Sequence, residues 1–221
     1  MKRYILHIGL ILVAMIMFSC NKDSFNYKPG YVGISKITNY PSINLAGNTY
    51  MAVPLNGTFT DPGATATAGG QSLKVTTSGT VNTSQVGVYL VNYTAINTDG
   101  FPATGTRYVA VYSTDATAQN NDFSGSYLRA QTGASATWTK IAPGVYVVDN
   151  PGGAVGVSLQ VIAFNPTGYT IHVPQQIAAG SPTSSSSEST TPGATPGTLA
   201  GYIWKILNPG YGTGFRTFVK Q

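Results

Sequence analysis

The sequence is poor in the residues that most often build chemical sites. Among 221 residues there are one cysteine, two histidines and seven Asp or Glu. A single cysteine excludes an internal disulfide and a thiolate metal site. No segment beyond residue 20 shows a hydrophobic period of 3.6 residues, so strands rather than helices are expected.

Charge is equally sparse, because only 9% of the residues are charged and the net charge is +5. The basic residues are scattered and form no stripe, so the sequence gives no indication of a nucleic-acid-binding surface. Low charge combined with 42% hydrophobic residues and abundant glycine is typical of secreted all-β proteins. About two hundred residues follow Cys20, enough for one large or two small domains.

Catalytic groups are also few. Beyond residue 20 the chain has one histidine, His172, and one glutamate, Glu188. His172 lies on a predicted strand without a Ser/His/Asp set, and no HExxH motif is present. The aspartates Asp61, Asp99 and Asp149 sit in turn motifs, so no pair of carboxyl groups faces a cleft as glycoside hydrolysis requires. We therefore expect no enzyme activity, no metal and no cofactor.

The first twenty residues have the layout of a secretory signal. Lys2 and Arg3 precede an apolar run from Tyr4 to Met17, and the only cysteine follows at Cys20. The run is too short and wrongly flanked for a stable membrane span. The residues alone also allow an ordinary signal peptide with a chance cysteine, or a short uncleaved anchor.

Met17, Ser19 and Cys20 match the lipobox of bacterial lipoproteins, and the chain resembles that class. The resemblance implies a signal peptide over residues 1–19, acylation of Cys20 (the palmitate type of modification) and a tether over residues 20–35. The membrane would then be a partner through the lipid at Cys20. Lys22 and Asp23 resemble the export signal of Sus-type systems, which implies an outer-membrane protein facing the cell exterior. A periplasm-facing location is the alternative.

Residues 36–112 carry a series of short strand patterns. Tyr89, Val91 and Tyr93 alternate with polar or smaller residues, which is the period-two pattern of a strand with one buried face. Asp61-Pro62-Gly63 predicts a turn, with the Asp61 carboxylate capping it. Asn97-Thr98-Asp99-Gly100 predicts a hairpin turn.

This segment resembles a bacterial immunoglobulin-like domain. The resemblance implies a β-sandwich of about seven strands with a spacing or adhesion role and no catalytic residues. The residues that carry it are Pro41, Ile43, Leu45, Gly47, Gly57, Phe59, Asp61, Pro62, Gly63, Ala64, Ala66, Val81, Gly87, Tyr89, Val91, Tyr93, Asp99, Gly100, Arg107, Val109 and Val111.

Residues 113–121 are small and polar and are interpreted as an interdomain linker. Residues 122–221 then predict a second antiparallel β domain, either a barrel or a sandwich. Its strands are expected at 125–129, 135–140, 144–148, 155–163, 169–173, 201–207 and 214–220. The fold class is therefore all-β, with an immunoglobulin-like sandwich followed by this second domain.

The segment 181–198 is rich in Ser, Thr, Pro and Gly and predicts a disordered loop. Such a segment cannot bury enough surface to offset the entropy of ordering its backbone. Replacing it with a short turn is expected to be nearly neutral, because loop closure depends only weakly on length. The hairpin after the loop is expected to join the same sheet as residues 125–173.

Aromatic side chains are the remaining candidates for a binding site. Trp138, Tyr169 and Tyr211 are the possible glycan contacts, while aromatics packed into the core are the simpler interpretation. The second block is also similar to C-terminal domains of lipoproteins encoded beside Sus-type transporters. That similarity rests on residues 124–127 and 143–146 and on the strands around Trp204 and Arg216.

The sequence thus predicts a non-catalytic, membrane-anchored surface lipoprotein. It is expected to bind glycan or to assist an outer-membrane glycan-uptake system, with polysaccharide and transporter proteins as partners. The alternative is a structural, adhesion or protein-interaction subunit that binds no sugar.

Overall fold

The computed structural model describes residues 27–32 and 35–221. The signal segment, Cys20 and most of the tether lie outside these residues. The chain forms two compact units, Met1–Asn39 and Tyr40–Gln221. In the first unit, β1 (Tyr31–Val32) and β2 (Ser35–Lys36) form a two-stranded antiparallel sheet. The described residues contain strands and turns but no helix, which confirms the all-β prediction.

The second unit begins with a β-sandwich of seven strands. One sheet has the order β3-β5-β6 and the other β4-β9-β8-β7, with β4 parallel to β9 and the other pairs antiparallel. The predicted sandwich is thereby confirmed. The strands are β3 (Ser42–Leu45), β4 (Tyr50–Pro54), β5 (Ala64–Ala68), β6 (Gln71–Leu73), β7 (Thr76–Ser78), β8 (Gly87–Ile96) and β9 (Pro102–Tyr112).

The sandwich core follows from the period-two pattern of its long strands. Val91 and Tyr93 of β8 and Val109 and Val111 of β9 face the other sheet and are buried. Gly63 has a φ of 80°, the left-handed conformation that a glycine adopts without strain. The Asp61 carboxylate accepts a hydrogen bond from the Gly63 N–H at 3.1 Å, so the predicted turn cap is present.

The rest of the second unit is an eight-stranded antiparallel sheet with the order β13-β12-β11-β10-β17-β16-β15-β14. The C-terminal hairpin β16–β17 belongs to this sheet, as predicted, and the structure shows that β17 pairs with β10. The strands are β10 (Gly125–Arg129), β11 (Ala134–Ala142), β12 (Val145–Asp149), β13 (Gln160–Phe164), β14 (Gln176–Ala178), β15 (Ser181–Pro192), β16 (Leu199–Leu207) and β17 (Arg216–Lys220).

This sheet curls until its two edge strands meet, and we call it the curled sheet. The Gln176 side chain of β14 completes the seam, because it accepts a hydrogen bond from the Ile162 N–H at 2.9 Å and donates one to the Ile162 carbonyl at 2.8 Å. Farther along the same edge, Phe164 and His172 exchange two backbone hydrogen bonds. A side-chain amide and one isolated bridge therefore replace a continuous ladder, and the sheet is nearly closed and barrel-like.

Aromatic side chains fill the interior of the curled sheet. The Trp138 and Trp204 rings stack with centroids 5.5 Å apart, and the Tyr202 and Phe218 rings stack at 4.7 Å. Such pairs contribute about 0.5–1.5 kcal/mol each beyond the burial of their area. Because the middle is filled by side chains, as is usual for a sheet of this strand number, the interior can be reached by a ligand only from the ends of the sheet.

The sandwich and the curled sheet share an apolar core. Ala110 of the sandwich and Val145, Ile162 and Phe164 of the curled sheet are buried together. The Tyr50 hydroxyl also donates a hydrogen bond to Gln160 Oε1 at 2.9 Å. The segment 113–121, interpreted as a linker, is itself packed, since Ala118 is fully buried and the Asp115 N–H donates to the Pro166 carbonyl at 2.9 Å.

The predicted disordered loop over residues 181–198 is wrong, because β15 (Ser181–Pro192) occupies most of it. Its backbone pairs with β14 on one side and β16 on the other. The backbone N–H and C=O groups of the segment are therefore hydrogen-bonded to neighbouring strands, although its side chains bury little apolar surface. Thr183 and Ser185 are buried because their side chains are small. Composition indicated disorder, but tertiary pairing decides the conformation.

Two predicted strands also differ. The strand expected over 155–163 begins only at Gln160, and Val155 is 76% exposed in a loop. The strand expected over 169–173 contributes only the bridge at His172. In both cases the alternation of apolar and polar residues in the sequence extends over more residues than those that pair with a neighbouring strand.

Candidate functional site

One end of the curled sheet has the features of a binding site, and we call it the mouth. Four connections meet there, at residues 130–133, 150–159, 179–180 and 208–215. The chain arrives from the sandwich at the opposite end, where the Asn121 side chain donates hydrogen bonds to Asn165 Oδ1 at 3.0 Å and to the Gly168 carbonyl. That opposite end is therefore closed by a satisfied polar network.

Two arginines project inward at the mouth. Arg129 ends β10 on the same face as buried Tyr127, and Arg216 begins β17 on the same face as buried Phe218. Arg216 is only 7% exposed and lies across from Trp204 in the ladder. Period-two geometry thus places both guanidinium groups at the end of the aromatic interior.

Each guanidinium uses few of its donors on the protein. Arg129 Nη1 donates to the Gly152 carbonyl at 3.0 Å, and Arg216 Nη2 donates to the Gly212 carbonyl at 3.3 Å. The Nε atoms of both arginines are buried without a partner in the described part of the chain. Neither arginine forms an ion pair with a carboxylate of the described residues.

Tyr211 lies beside Arg216 and also lines an open cleft. The Arg216 guanidinium lies 4.9 Å from the centroid of the Tyr211 ring, and the Tyr211 hydroxyl is buried without a hydrogen-bond partner. Burial raises the pKa of Tyr211; the positive charge of Arg216 opposes that shift and the Asp149 carboxylate adds to it. Burial, followed by the nearby charge of Arg129, lowers the pKa of Arg216.

Two glycines let the 150–159 loop press into the mouth. A Cβ atom on Gly152 would lie 2.5 Å from the Tyr211 ring, and a Cβ atom on Gly153 would lie 2.8 Å from Phe218. The Trp204 indole N–H donates to the Pro151 carbonyl at 2.9 Å, which holds the loop there. The floor of the mouth is consequently fixed by backbone contacts.

The cleft beside Tyr211 has a volume of about 400 Å³. Its walls are mainly small or apolar, and one of the lining side chains, Val157, is an exposed apolar residue. A concave, mostly apolar site with a few convergent polar groups is the usual form of a ligand pocket. The residues that line it are Val157, Ser158, Leu159, Ala178, Ala179, Ser181, Asn208, Gly210 and Tyr211.

The structure separates the three aromatic residues that the sequence indicated. Trp138 is 1% exposed and its indole N–H donates to the Tyr202 hydroxyl at 3.0 Å, so the predicted glycan contact at Trp138 is wrong and the residue belongs to the core. Tyr169 packs on Phe123, and its hydroxyl accepts a hydrogen bond from the Gly197 N–H at 2.8 Å, at the closed end. Of the three, Tyr211 lies at the mouth.

His172 and Glu188 meet in space, which the sequence did not indicate. His172 Nδ1 lies 3.2 Å from Glu188 Oε1, and the Ser185 hydroxyl donates to the same carboxylate oxygen. The Ser185 oxygen accepts a hydrogen bond from the Val173 N–H at 2.7 Å. Because the carboxylate stands between serine and histidine, this set does not form the nucleophile–base pair of a hydrolase.

No group of three metal-ligating side chains occurs within residues 27–32 and 35–221. Over the same residues, no helix has the length and apolar character needed to span a membrane. The lipidation predicted at Cys20 falls outside the residues that the structure describes.

Sequence reasoning missed Arg129 and Arg216 as site residues, although a signal for them exists. Arg129 stands two residues after Tyr127, and Arg216 stands two residues before Phe218. A cation that continues the inward face of a strand is unusual unless it is paired or functional. The sequence shows each arginine on the inward face of its strand, but only the fold of the curled sheet brings the two cations to the same end.

Comparison with known proteins supports the assignment of the sandwich. Residues 43–111 match the family described as bacterial surface protein, Ig-like domain. The chain therefore carries an immunoglobulin-like domain of the bacterial surface type. No curated protein matches the chain.

Two solved structures are similar to the chain at low identity. A lipoprotein from Bacteroides thetaiotaomicron is 22% identical, with a TM-score of 0.43, over 82% of this chain and 100% of that one. The M60 catalytic domain with two CBM51 domains of Clostridium perfringens ZmpB is 11% identical, with a TM-score of 0.31, over 84% of this chain and 21% of that one.

Proposed function

We propose that this protein is a lipid-anchored lipoprotein of the bacterial outer surface that binds a ligand at the mouth without catalysis. The lipobox-like residues ending at Cys20 and the surface-type immunoglobulin-like domain support the location. The ligand would be a glycan, and the protein would act beside an outer-membrane uptake system.

The observation that carries the proposal is the mouth itself. It combines an apolar cleft of about 400 Å³, an aromatic ring at Tyr211 and unsatisfied donors on Arg129 and Arg216. Sugars bind by stacking an apolar ring face on an aromatic side chain while polar groups hold the hydroxyls. These groups favour binding over chemistry, because hydrolysis of a glycan requires a facing pair of carboxyl groups.

The shared core gives the sandwich a role in this function. Ala110 and Val145 are fully buried between the two domains, and Tyr50 is hydrogen-bonded to Gln160 across the same boundary. A large apolar boundary restricts relative motion of domains. The sandwich would thus hold the mouth in a fixed direction at the opposite end from the chain entry.

The test is affinity electrophoresis and calorimetry of the full-length protein in detergent against a panel of polysaccharides. We expect at least one polysaccharide to bind, and Tyr211→Ala to weaken that binding. Tyr40→Ala is the matched control, because Tyr40 is an exposed tyrosine of the sandwich that contacts Phe101. If no polysaccharide retards the protein, glycan binding is refuted.

The exposed apolar side chains at the mouth favour one second candidate, a protein-interaction subunit. Val155 and Phe215 are large, apolar and exposed, which is common at protein contacts. A pull-down from native membranes distinguishes the two. Recovery of transporter proteins that does not depend on sugar would favour the second candidate.

A further inference from the structure

The two arginines at the mouth lack the partners that buried cations require. Arg129 and Arg216 each donate to backbone carbonyls of the mouth, yet each retains a buried Nε without an acceptor among the described residues. A buried charge is costly unless it is paired and hydrogen-bonded. Asp149 acts on Tyr211 electrostatically but forms no ion pair with either arginine.

Arg107 in the same chain provides an internal comparison. Arg107 is fully buried in the sandwich, and it donates to the Asp61 carboxylate and to the carbonyls of Ala46 and Gly63. That arginine has the complete set of acceptors expected for a structural role. The arginines of the mouth do not, although they are close enough for the charge of Arg129 to act on Arg216.

Each guanidinium also has a second unused donor. Nη2 of Arg129 and Nη1 of Arg216 donate to no described protein atom and are not among the enclosed nitrogens. The Tyr211 ring lies beside the Arg216 guanidinium, and the same residue lines the cleft. A ligand in the cleft would contact Tyr211, and the Arg216 guanidinium lies 4.9 Å from the centroid of that ring.

We propose that the mouth binds an anionic glycan unit, with the oxyanion held by Arg129 and Arg216 and the sugar ring against Tyr211. Guanidinium groups match carboxylate, sulfate and phosphate oxygens because their N–H donors form a planar fork. The oxyanion would also supply acceptors for the unused Nη donors and a counter-charge for the two guanidiniums. This inference rests on the proposed function and specifies the ligand class for the same site.

The test measures binding of the full-length protein in detergent to three probes: polygalacturonate, dextran sulfate and neutral dextran. We expect one of the acidic polymers to bind and dextran to bind at least about tenfold more weakly. The carboxylate and sulfate probes distinguish the two sources of the oxyanion. Because the chain has a net charge of +5, non-specific attraction must be separated from the site.

Charge-removing variants make that separation. Arg216→Met should weaken binding of the acidic polymer about tenfold or more, whereas Lys74→Met, which removes an exposed cation of the sandwich, should leave it unchanged. The melting temperature of Arg216→Met should not fall, since the lost cation has no ion-pair partner. If that variant fails to fold, Arg129→Met provides the same comparison.

The outcomes separate the two proposals. Binding of neutral dextran alone would overturn the anionic ligand and leave glycan binding intact. Equal loss in Arg216→Met and Lys74→Met would show that only net charge attracts the polymer. No loss in either would show that Arg216 does not hold it, and either result would overturn the inference. Failure of all three probes together with the wider polysaccharide panel would overturn both proposals.

Discussion

Removing the Asp61 carboxylate should destabilise the sandwich more than any other single change of a charged residue there. Asp61 Oδ1 accepts hydrogen bonds from Arg107, from the Tyr93 hydroxyl and from the Gly63 N–H. The Arg107 side chain is 0% exposed and that of Asp61 is 27% exposed. Asp61→Asn keeps the shape and one oxygen but leaves the buried cation without a counter-charge.

The magnitude follows from that burial. Breaking one partner from a buried ion pair costs about 3–5 kcal/mol. Because Asp61 is partly exposed, water compensates part of the loss, so the lower limit, about 3 kcal/mol, is expected. For a unit of this size, about 2–4 °C of melting temperature corresponds to each kcal/mol, which predicts a decrease of about 6–12 °C.

The pH dependence of stability provides a second readout of the same contact. Burial raises the pKa of Asp61, but the hydrogen bonds from Tyr93 and Gly63 and the charge of Arg107 together lower it below the ordinary value of 3.8. A folded-state pKa below the unfolded one gives stability that is present above pH 3.8 and is lost as the pH falls through the folded pKa. Asp61→Asn should remove this part of the acid sensitivity.

The assay is guanidinium chloride denaturation of wild type and Asp61→Asn at pH 7, 4 and 3. Asp115→Asn is the control, since Asp115 is an exposed carboxylate that contacts only its own turn and Thr167. A loss for Asp61→Asn no larger than for Asp115→Asn would refute the reasoning. So would an unchanged loss of stability in acid.

Three further changes test other parts of the structure. Replacing Ser181–Thr198 with a short Gly/Ser turn should unfold the curled sheet, because it deletes β15 from between β14 and β16; a cooperative melt at the original midpoint would contradict this. Val145→Asp should cost several kcal/mol, since it buries an unpaired charge in the shared core, and a circular dichroism melt unchanged from wild type would be inconsistent with that core. Cys20→Ser should abolish fatty-acid labelling and partitioning into detergent; continued labelling would exclude Cys20 as the anchor.

Sequence periodicity was sufficient for much of the fold. The alternation of Tyr89, Val91 and Tyr93 predicted β8, and the buried residues of that strand follow it. It failed for β15, where Thr183 and Ser185 occupy buried positions that hydrophobic residues usually take. Small polar residues are tolerated there because each finds a hydrogen-bond partner from another part of the chain. The Thr183 hydroxyl accepts from the Asn208 amide at 2.7 Å, and the Ser185 hydroxyl oxygen accepts from the Val173 N–H at 2.7 Å.

The site was less predictable than the fold. Trp138 and Tyr211 are both aromatic residues of the second domain, and only the packing shows that one is enclosed and the other lines a cleft. The distance between Arg129 and Arg216 along the chain gives no indication that they meet. Their proximity depends on the antiparallel register of β10 with β17, which no local pattern specifies.

The two ends of the curled sheet differ in a way that stability alone does not explain. At the closed end, the Asn121 side chain donates a hydrogen bond to Asn165 Oδ1, and the Asn165 side chain donates to a backbone carbonyl. These buried amides therefore have hydrogen-bond partners. At the mouth, Arg129, Arg216 and Tyr211 all leave a buried polar atom without a partner in the described chain. Replacing a buried ionic group by an apolar one is often neutral or stabilising, so the simpler solution for folding would be an apolar plug. The mouth keeps cations that cost stability, and an acidic ligand is the partner that would offset this cost.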